Sequence, residues 1–452
     1  MALALALILL VVGTVLFHIL SPWWFTPIAS NWEMMDKTVG VTFWVTGTVF
    51  VLVNLFLAYA VIRYRHRKGQ SQTAHYEPEN RKLELWLTII TSVGIAAMLA
   101  PGLSVWAKFV TPPADAAIVE VLGQQWNWSY RFPGKDGKLG ATDNRLVSLD
   151  NPFGINPGDP LGQDDILVAN PELHLPLNQP VKVLLRAKDV NHQFAVPQFR
   201  VKMDMVPGMV TSFWLTPTRT GAFDALCEQL CGMAHFVMRG RVVVDETKVF
   251  DVWLAQQPTY AQTRALVAGD PAAGQALFAV CSACHGQQAE GNKELNAPKL
   301  SGQAAWYLAR QLKNFKTGVR GADEKDTFGK QMAPMAATLA DDAAIANVVA
   351  YIGSLPDARP TAAVMGNPDK GKSQFGTCAA CHGVKGQGIW ATNAPRLANM
   401  SDWYMQRQLE NFRQGIRGGH RQDFYGSQMV SMAKTLRPGQ ATADLLDYLH
   451  TQ

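Results

Sequence analysis

The sequence predicts a multidomain membrane protein with a transmembrane α-helical hairpin, an all-β domain and two copies of one all-α domain. Residues 38–62 and 85–107 contain no Asp, Glu, Lys or Arg. Short alternating apolar runs separated by Pro and Gly then follow over residues 115–250, a pattern typical of a β-sandwich or barrel. Residues 263–452 contain a repeat at an offset of 97 without a gap, which indicates two copies of one domain.

Each charge-free run is long enough to cross a membrane, since a spanning helix needs about 20 residues. The loop between them is basic, with Arg63, Arg65, Arg67, Lys68, Arg81 and Lys82. Positive residues stay on the cytoplasmic side, so we expect everything after Lys108 to lie on the outer face. Residues 1–20 are also apolar and lack the basic start of a signal peptide. This favours a retained helix over a cleaved segment.

The cysteine pattern indicates cofactor binding. The chain has six cysteines in three close pairs, and a histidine lies within four residues of the second member of each pair. A secreted disulfide scaffold would instead place partners in distant segments. The net charge of +5 over 452 residues is modest and does not suggest a nucleic-acid partner.

One of these pairs lies in the β-rich region as a candidate copper site. Cys227, Cys231, His235 and Met238 form one run, and His192 lies upstream. Thiolate, imidazole and thioether ligands suit copper electron-transfer sites. A mononuclear site would need one His, one Cys and one Met, whereas two thiolates can bridge two coppers. Zinc is the alternative, but the Met and the β-rich context argue against it.

Residues 38–250 resemble cytochrome c oxidase subunit II, whose cupredoxin-like barrel holds the binuclear copper centre CuA. The family pattern is Cys-x-x-x-Cys-x-x-x-His-x-x-Met with an upstream Asp-Val-x-His, here residues 189–192. Gln229 stands where many relatives have a Glu, whose side chain contributes to a nearby magnesium site. The resemblance assigns the copper ligand at this position to the backbone carbonyl, which the change from Glu to Gln leaves in place. The resemblance implies a copper-ligand set of His192, Cys227, the carbonyl of Gln229, Cys231, His235 and Met238.

The resemblance assigns two further features. The aromatic run 125–130 is similar to the family patch through which electrons enter beside the copper, which implies this role for Trp126 and Trp128. A strand that packs Trp128 or Tyr130 into the core is the alternative. Glu84 matches the family glutamate associated with proton uptake, although the Trp and Pro that usually follow it are displaced or replaced. An ordinary interfacial charge is the alternative.

Each copy of the repeat carries Cys-x-x-Cys-His, the signature of covalent haem c attachment. Two thiols add to the haem vinyl groups, and the adjacent histidine binds the iron. Each copy also opens with a helix-capping residue followed by Pro, at positions 270–271 and 367–368. The predicted attachment residues are Cys281, Cys284 and His285 in the first copy, and Cys378, Cys381 and His382 in the second.

The sixth iron ligand is expected to be a methionine, and each copy offers two. The copies resemble the di-haem class I cytochromes c of the periplasm, in which the axial Met lies seven residues before the Leu that opens the last stretch. That resemblance selects Met332 and Met429 over Met335 and Met432.

The expected function is that of subunit II of a terminal cytochrome c oxidase. Electrons would pass from a donor, such as a soluble cytochrome or a respiratory complex, through two covalent haems c and two-copper CuA to subunit I. Subunit III and the lipid bilayer are further expected partners, in a bacterial inner membrane with copper and haem domains on the periplasmic face. The alternatives are the corresponding subunit of a CuA-containing nitric-oxide reductase and a membrane-tethered multi-haem electron carrier.

The predicted domains follow from these boundaries. They are residues 1–37 for the N-terminal helix or signal segment and loop, 38–112 for the hairpin, 113–250 for the copper domain, 251–265 for a linker, 266–356 for the first cytochrome domain, 357–365 for a linker and 366–452 for the second cytochrome domain.

Overall fold

A computed structural model describes most of the chain. The described residues are 2–21, 26–65, 78–148, 151–168, 172–265, 269–389 and 392–452. Arg67 and Lys68, on which the predicted topology partly depends, lie outside them.

Three helices among the described residues are long and apolar enough to cross a membrane: α1 (Ala2–Leu20), α2 (Glu33–Arg63) and α3 (Arg81–Val110). The two predicted charge-free runs lie inside α2 and α3. Most of the Leu, Val, Ile and Phe side chains on these helices are exposed, as expected of segments that face lipid. The Asn80 side chain caps α3 by accepting a hydrogen bond from Leu83 N.

The β domain consists of ten strands: β1 (Ala117–Gln124), β2 (Asn127–Phe132), β3 (Ile166–Val168), β4 (Glu172–Pro176), β5 (Val181–Ala187), β6 (His192–Val196), β7 (Val201–Met205), β8 (Thr211–Leu215), β9 (Gly221–Cys227) and β10 (Arg239–Asp245). They form two five-stranded sheets in the orders β3-β2-β1-β5-β8 and β4-β10-β9-β6-β7. Alternation along β5 buries Val181, Val183 and Leu185. These side chains belong to one core with residues from the second sheet, which is the predicted all-β domain.

Side-chain contacts join the β domain to the membrane helices. The indole of Trp32, just before α2, donates to the carbonyl of Trp214 at 2.8 Å, and the indole of Trp214 donates to the carbonyl of Lys108 at 2.6 Å. Arg200 pairs with Asp36 at 2.7 Å. The β domain is therefore held at the ends of α2 and α3.

The stretch predicted as the first linker is largely helical in the structure. Helices α4 (Thr247–Ala255) and α5 (Tyr260–Ala265) follow the last strand. The Tyr260 side chain is buried in a cluster with Phe153 and Ile155 of the β domain, and Tyr260 N donates to the Asp165 carbonyl at 2.7 Å. This stretch packs on the β domain before the chain enters the repeats.

The repeats are two four-helix domains. The helices are α6 (Pro271–His285), α7 (Ala305–Lys316), α8 (Thr327–Ala337) and α9 (Asp342–Ser354), then α10 (Pro368–His382), α11 (Asp402–Arg413), α12 (Phe424–Thr435) and α13 (Gln440–Thr451). As predicted, the side chains of Asp270 and Asn367 cap α6 and α10. The first and last helices pack together within each copy.

The two helical domains face each other with matching contacts. Arg320 of the first domain donates to the Tyr404 hydroxyl at 2.6 Å, and Arg417 of the second donates to the Tyr307 hydroxyl at 2.6 Å. Because Arg417 and Tyr404 are the repeat equivalents of Arg320 and Tyr307, the interface has approximate two-fold symmetry. It also brings Tyr404 to the cavity of the first domain.

Candidate metal and cofactor sites

Strand pairing brings together the candidate copper ligands. Cys227 ends β9, which pairs with β6, and the register sets Phe194 opposite Cys227. His192 begins β6, so it lies beside the end of β9. The loop then continues through Cys231 to a short 3-10 turn and returns to β10.

The donor atoms converge in one place. The sulfurs of Cys227 and Cys231 are 3.7 Å apart, and His192 Nδ1 lies 3.9 Å from Cys227 Sγ. His235 Nδ1 and Met238 Sδ lie 3.4 and 3.7 Å from Cys231 Sγ. The Gln229 carbonyl oxygen is 3.2 Å from Cys227 Sγ. These spacings fit donor atoms that share metal ions, and the mixture of soft sulfur and imidazole ligands fits copper.

His192 is oriented by a neighbouring carboxylate. Its Nε2 donates to Asp189 Oδ1 at 2.8 Å, which leaves Nδ1 directed to the cysteines. Asp189 also accepts from the backbone amides of Gln125 and Val190, both at 2.7 Å. Such a partner fixes the tautomer of a ligating imidazole. Asp189 therefore has a positioning role beyond its place in the sequence motif.

The two thiols of this site titrate as a pair. A hydrogen bond from Cys231 lowers the pKa of Cys227, while the same contact raises the pKa of Cys231. The physical cause is that two sulfur anions this close repel each other, so one proton is shared between them. Binding of a metal by Cys227 and Cys231 would release that proton, because the thiolate is the form that coordinates a metal.

The two predicted aromatic residues occupy different positions. Trp126 Nε1 donates to the carbonyl of Cys231 at 3.1 Å, which ties this indole to the copper loop. Trp128 is fully buried and packs edge-on against Phe194, with ring centroids 5.2 Å apart. Tyr130 is also fully buried. Trp126, Trp128 and Tyr130 all belong to one buried core. Trp128 also packs edge-on against His192, with ring centroids 6.3 Å apart, whereas Trp126 is hydrogen-bonded to the copper loop.

One cavity in the first helical domain collects the predicted haem ligands. It is lined by Cys281, Cys284, His285, Met332 and Met335. His285 Nδ1 donates to the Pro298 carbonyl at 2.7 Å, so Nε2 is free to bind iron. Burial lowers the pKa of His285, which keeps the ring neutral as a metal ligand must be. The residues therefore fit a covalently attached haem.

The second helical domain repeats this arrangement. His382 Nδ1 donates to the Pro395 carbonyl at 2.8 Å, and burial lowers the pKa of His382. Burial also raises the pKa of Cys378 and of Cys381 to about 11. Both candidate axial residues, Met429 and Met432, lie on α12.

Glu84 lies in the first turn of α3, where its side chain is exposed. The Thr88 hydroxyl donates to the Glu84 backbone carbonyl at 2.8 Å. This position is at the end of the apolar helix, and the proton-uptake role of Glu84 stays a prediction.

Comparison with known families agrees with this geometry. A profile of the cytochrome C oxidase subunit II periplasmic domain matches residues 117–247, and a cytochrome c profile matches residues 271–356 and 368–452. The "alternative cytochrome c oxidase subunit 2" of Bradyrhizobium diazoefficiens is 59% identical over 261 residues, which cover 58% of this chain and 94% of that protein. This chain belongs to the cytochrome c oxidase subunit II family.

Other relatives and solved structures are similar to parts of the chain. Cytochrome c oxidase subunit 2 of Cereibacter sphaeroides is 30% identical over 241 residues, 51% of this chain and 77% of that protein. The periplasmic domain of subunit II of cytochrome oxidase from Bradyrhizobium japonicum is 30% identical, with a TM-score of 0.24 over 32% of this chain and 95% of that one. Cytochrome c4 from Pseudomonas stutzeri is 26% identical, with a TM-score of 0.33 over 40% of this chain and 98% of that one.

Membership of this family gives the site its chemistry. The subunit II domain implies copper of the CuA type, and the two cytochrome c domains imply haem c. Membership also implies partnership with subunit I of a haem–copper oxidase. The three apolar helices supply a membrane anchor.

Two polar residues beside the copper domain were missed by the sequence reasoning. Tyr425 and Gln428, both on α12 of the second cytochrome domain, contact Asn127 and Trp126. Their partners are some 300 positions away, so no local spacing connects them. One signal was available: Tyr425 stands where the first copy of the repeat has Phe328.

Proposed function

We propose that this chain uses two covalent haems c and a two-copper CuA centre to deliver electrons to the oxygen-reducing subunit I of a cytochrome c oxidase. When bound, copper and haem each carry one electron at a time. The observation that carries the proposal is the convergence of two thiols, two imidazoles, one thioether and one carbonyl within the distances given above.

The copper ligands we propose are those of the convergent loop and strand. His192 and His235 would supply one imidazole to each copper, Cys227 and Cys231 would bridge them, and Met238 would be a weak ligand with the Gln229 carbonyl. Burial of both cysteines, His192 and Met238 supports this, because a buried site excludes water from the metals. Trp126 is the residue we propose for electron uptake by this domain, since it alone of the two predicted tryptophans is bonded to the copper loop.

For the haems we propose thioether attachment at both cysteine pairs and ligation by His285 and His382. Met332 and Met429 would complete the iron coordination. In the second domain, Met432 already packs against the core of the copper domain, which supports Met429 as the ligand. The approximate symmetry of the repeat extends the choice to Met332.

The exposed part of the copper loop supports a catalytic partner on that side. Leu230, Met233 and Phe236 surround the ligands and are 77%, 60% and 55% exposed. Apolar side chains concentrated at one exposed loop are typical of a protein–protein contact. We propose that subunit I covers this loop and that subunit III and lipid surround the helices. The copper and haem domains would then lie on the periplasmic face of a bacterial inner membrane, with Glu84 at the opposite end of α3 as the proton-uptake candidate.

Copper binding is tested by replacing one bridging residue. In the full, matured chain, Cys231→Ser should remove the near-infrared copper band and the bound copper, and should leave the haem spectrum intact. Leu230→Ala, one position away and exposed, is the matched control and should retain two coppers. Copper retained by Cys231→Ser, or zinc found in the unaltered protein, would contradict the proposal.

Association with subunit I is tested separately. Co-purification from native membranes in mild detergent should recover an oxygen-reducing haem–copper subunit as the largest partner. Recovery of a nitric-oxide-reducing subunit, or of no catalytic subunit, would overturn this part of the function.

A further inference from the structure

The second cytochrome domain contacts the copper domain at its electron-uptake residue. Gln428 Nε2 of α12 donates to the backbone carbonyl of Trp126 at 3.1 Å, and Asn127 Nδ2 lies 3.5 Å from the hydroxyl of Tyr425. The indole of Trp126 donates a hydrogen bond to the Cys231 carbonyl. Helix α12 therefore contacts Trp126, the residue whose indole is hydrogen-bonded to the copper loop.

The contact covers the part of the second domain that surrounds its haem-attachment residues. Cys381 and Met432 pack against the same buried core as Trp126 and Cys231. Their repeat equivalents in the first domain, Cys284 and Met335, are not among the residues that pack against that core.

The sequence of the repeat differs between the copies at the contact itself. Tyr425 stands where the first copy has Phe328, and each ring lies against an arginine of the other copy, Arg310 and Arg407, at 4.9 and 4.3 Å from the ring centroid. The two rings therefore have equivalent arginine neighbours. Only the second copy has a hydroxyl, and that hydroxyl accepts a hydrogen bond from the Asn127 side-chain amide at 3.5 Å.

We infer that the second cytochrome domain is the fixed inner partner of the copper domain, docked through Tyr425 and Gln428 on the face that contains Trp126. The inference rests on the proposed function, because it gives an order to the cofactor-binding domains of that electron path. The second domain lies next to copper, and the first domain is outermost. Docking also closes the Trp126 face to a separate donor protein.

Side-chain contacts hold the first cytochrome domain against the second. Arg417 and Arg320 form the reciprocal contacts with Tyr307 and Tyr404 across the domain interface. Arg310 donates to the Asn393 side chain at 2.8 Å. The order from the outside inward is therefore first cytochrome domain, second cytochrome domain, copper domain.

Hydroxyl-radical footprinting of the full chain, loaded with copper and haem, tests this order. Met335 and Met432 are equivalent positions with the same intrinsic reactivity, so their modification rates compare the two faces directly. In the unaltered protein, Met335 should be modified several times faster than Met432. Gln428→Arg should raise the Met432 rate to that of Met335, whereas the matched control Gln331→Arg should change neither.

Equal rates at the two methionines in the unaltered protein would overturn the inference, as would an unchanged Met432 rate in Gln428→Arg. If Gln428→Arg loses its haem spectrum, Tyr425→Phe copies the residue of the first repeat and provides the milder test, with a raised Met432 rate expected. The near-infrared copper band of the same samples distinguishes a failure of the proposed function from a failure of the docking. Its absence refutes the proposed function, whereas normal spectra with symmetric footprints refute only the docking.

Discussion

Trp126 forms hydrogen bonds with two segments that we assign to cofactor binding. Its indole donates to the Cys231 carbonyl, and its own carbonyl accepts from Gln428. Cys231 is a proposed copper ligand, and Gln428 directly precedes the proposed iron ligand Met429. A change at Trp126 would therefore act on two domains, since its main chain and its side chain have different partners.

The choice of axial methionine in the second domain can be decided at single residues. Met429→Ala should make one of the two haems high-spin, because the iron loses its sixth protein ligand. The visible spectrum of the purified full chain measures this as a high-spin fraction near one half. Met432→Ala should leave both haems low-spin, because Met432 packs on the copper domain. The reverse pattern would assign Met432 as the ligand.

At the scale of helices, each cytochrome domain depends on a close crossing of its first and last helices. Gly274 of α6 lies against α9, where an added Cβ would be 2.0 Å from the Asn347 carbonyl oxygen. The equivalent Gly371 of α10 lies against α13, where a Cβ would be 2.0 Å from the Asp444 carbonyl oxygen. Asn347 and Asp444 also accept from the backbone amides that open each domain. These helices hold the Cys-x-x-Cys-His segments in place.

A methyl group at this crossing should destabilise one domain selectively. Gly371→Ala should cost about 1–3 kcal/mol, the usual effect of overpacking a close contact. Hydrogen exchange of the full chain should then be faster over α10 and α13 and unchanged over α6 and α9. Gly376→Ala in the same helix meets nothing within 4 Å and should be neutral or stabilising by up to ~1 kcal/mol. Equal exchange in the two variants would show that the crossing tolerates a side chain.

At the scale of the whole molecule, the features that the sequence predicts are those formed by residues close together in the chain. The Cys227–Met238 run, the Cys-x-x-Cys-His motifs and the charge-free helices are local patterns, and their fold classes are confirmed. Packing between distant segments has no such pattern. Tyr260 lies in a stretch that the sequence predicts to be a linker. Its side chain is nevertheless buried, because it packs in an apolar cluster of the β domain. The docking of α12 is likewise set by surfaces some 300 residues apart.

Because the second cytochrome domain covers Trp126, we expect a donor protein to bind the equivalent face of the first domain. Phe328, Met335 and Leu295 are 37%, 38% and 52% exposed there, and apolar side chains around a redox cofactor suit a transient protein contact.

A soluble, reduced class I cytochrome c is a suitable probe of this face. Leu295→Asp should raise its KM about fivefold, equivalent to ~1 kcal/mol of lost contact energy, and should leave kcat unchanged in the assembled oxidase. Val249→Asp, equally exposed on α4 of the copper domain, should have no effect because that helix lies outside the proposed path. An unchanged KM for Leu295→Asp, or a raised KM for Val249→Asp, would move donor binding away from the first cytochrome domain.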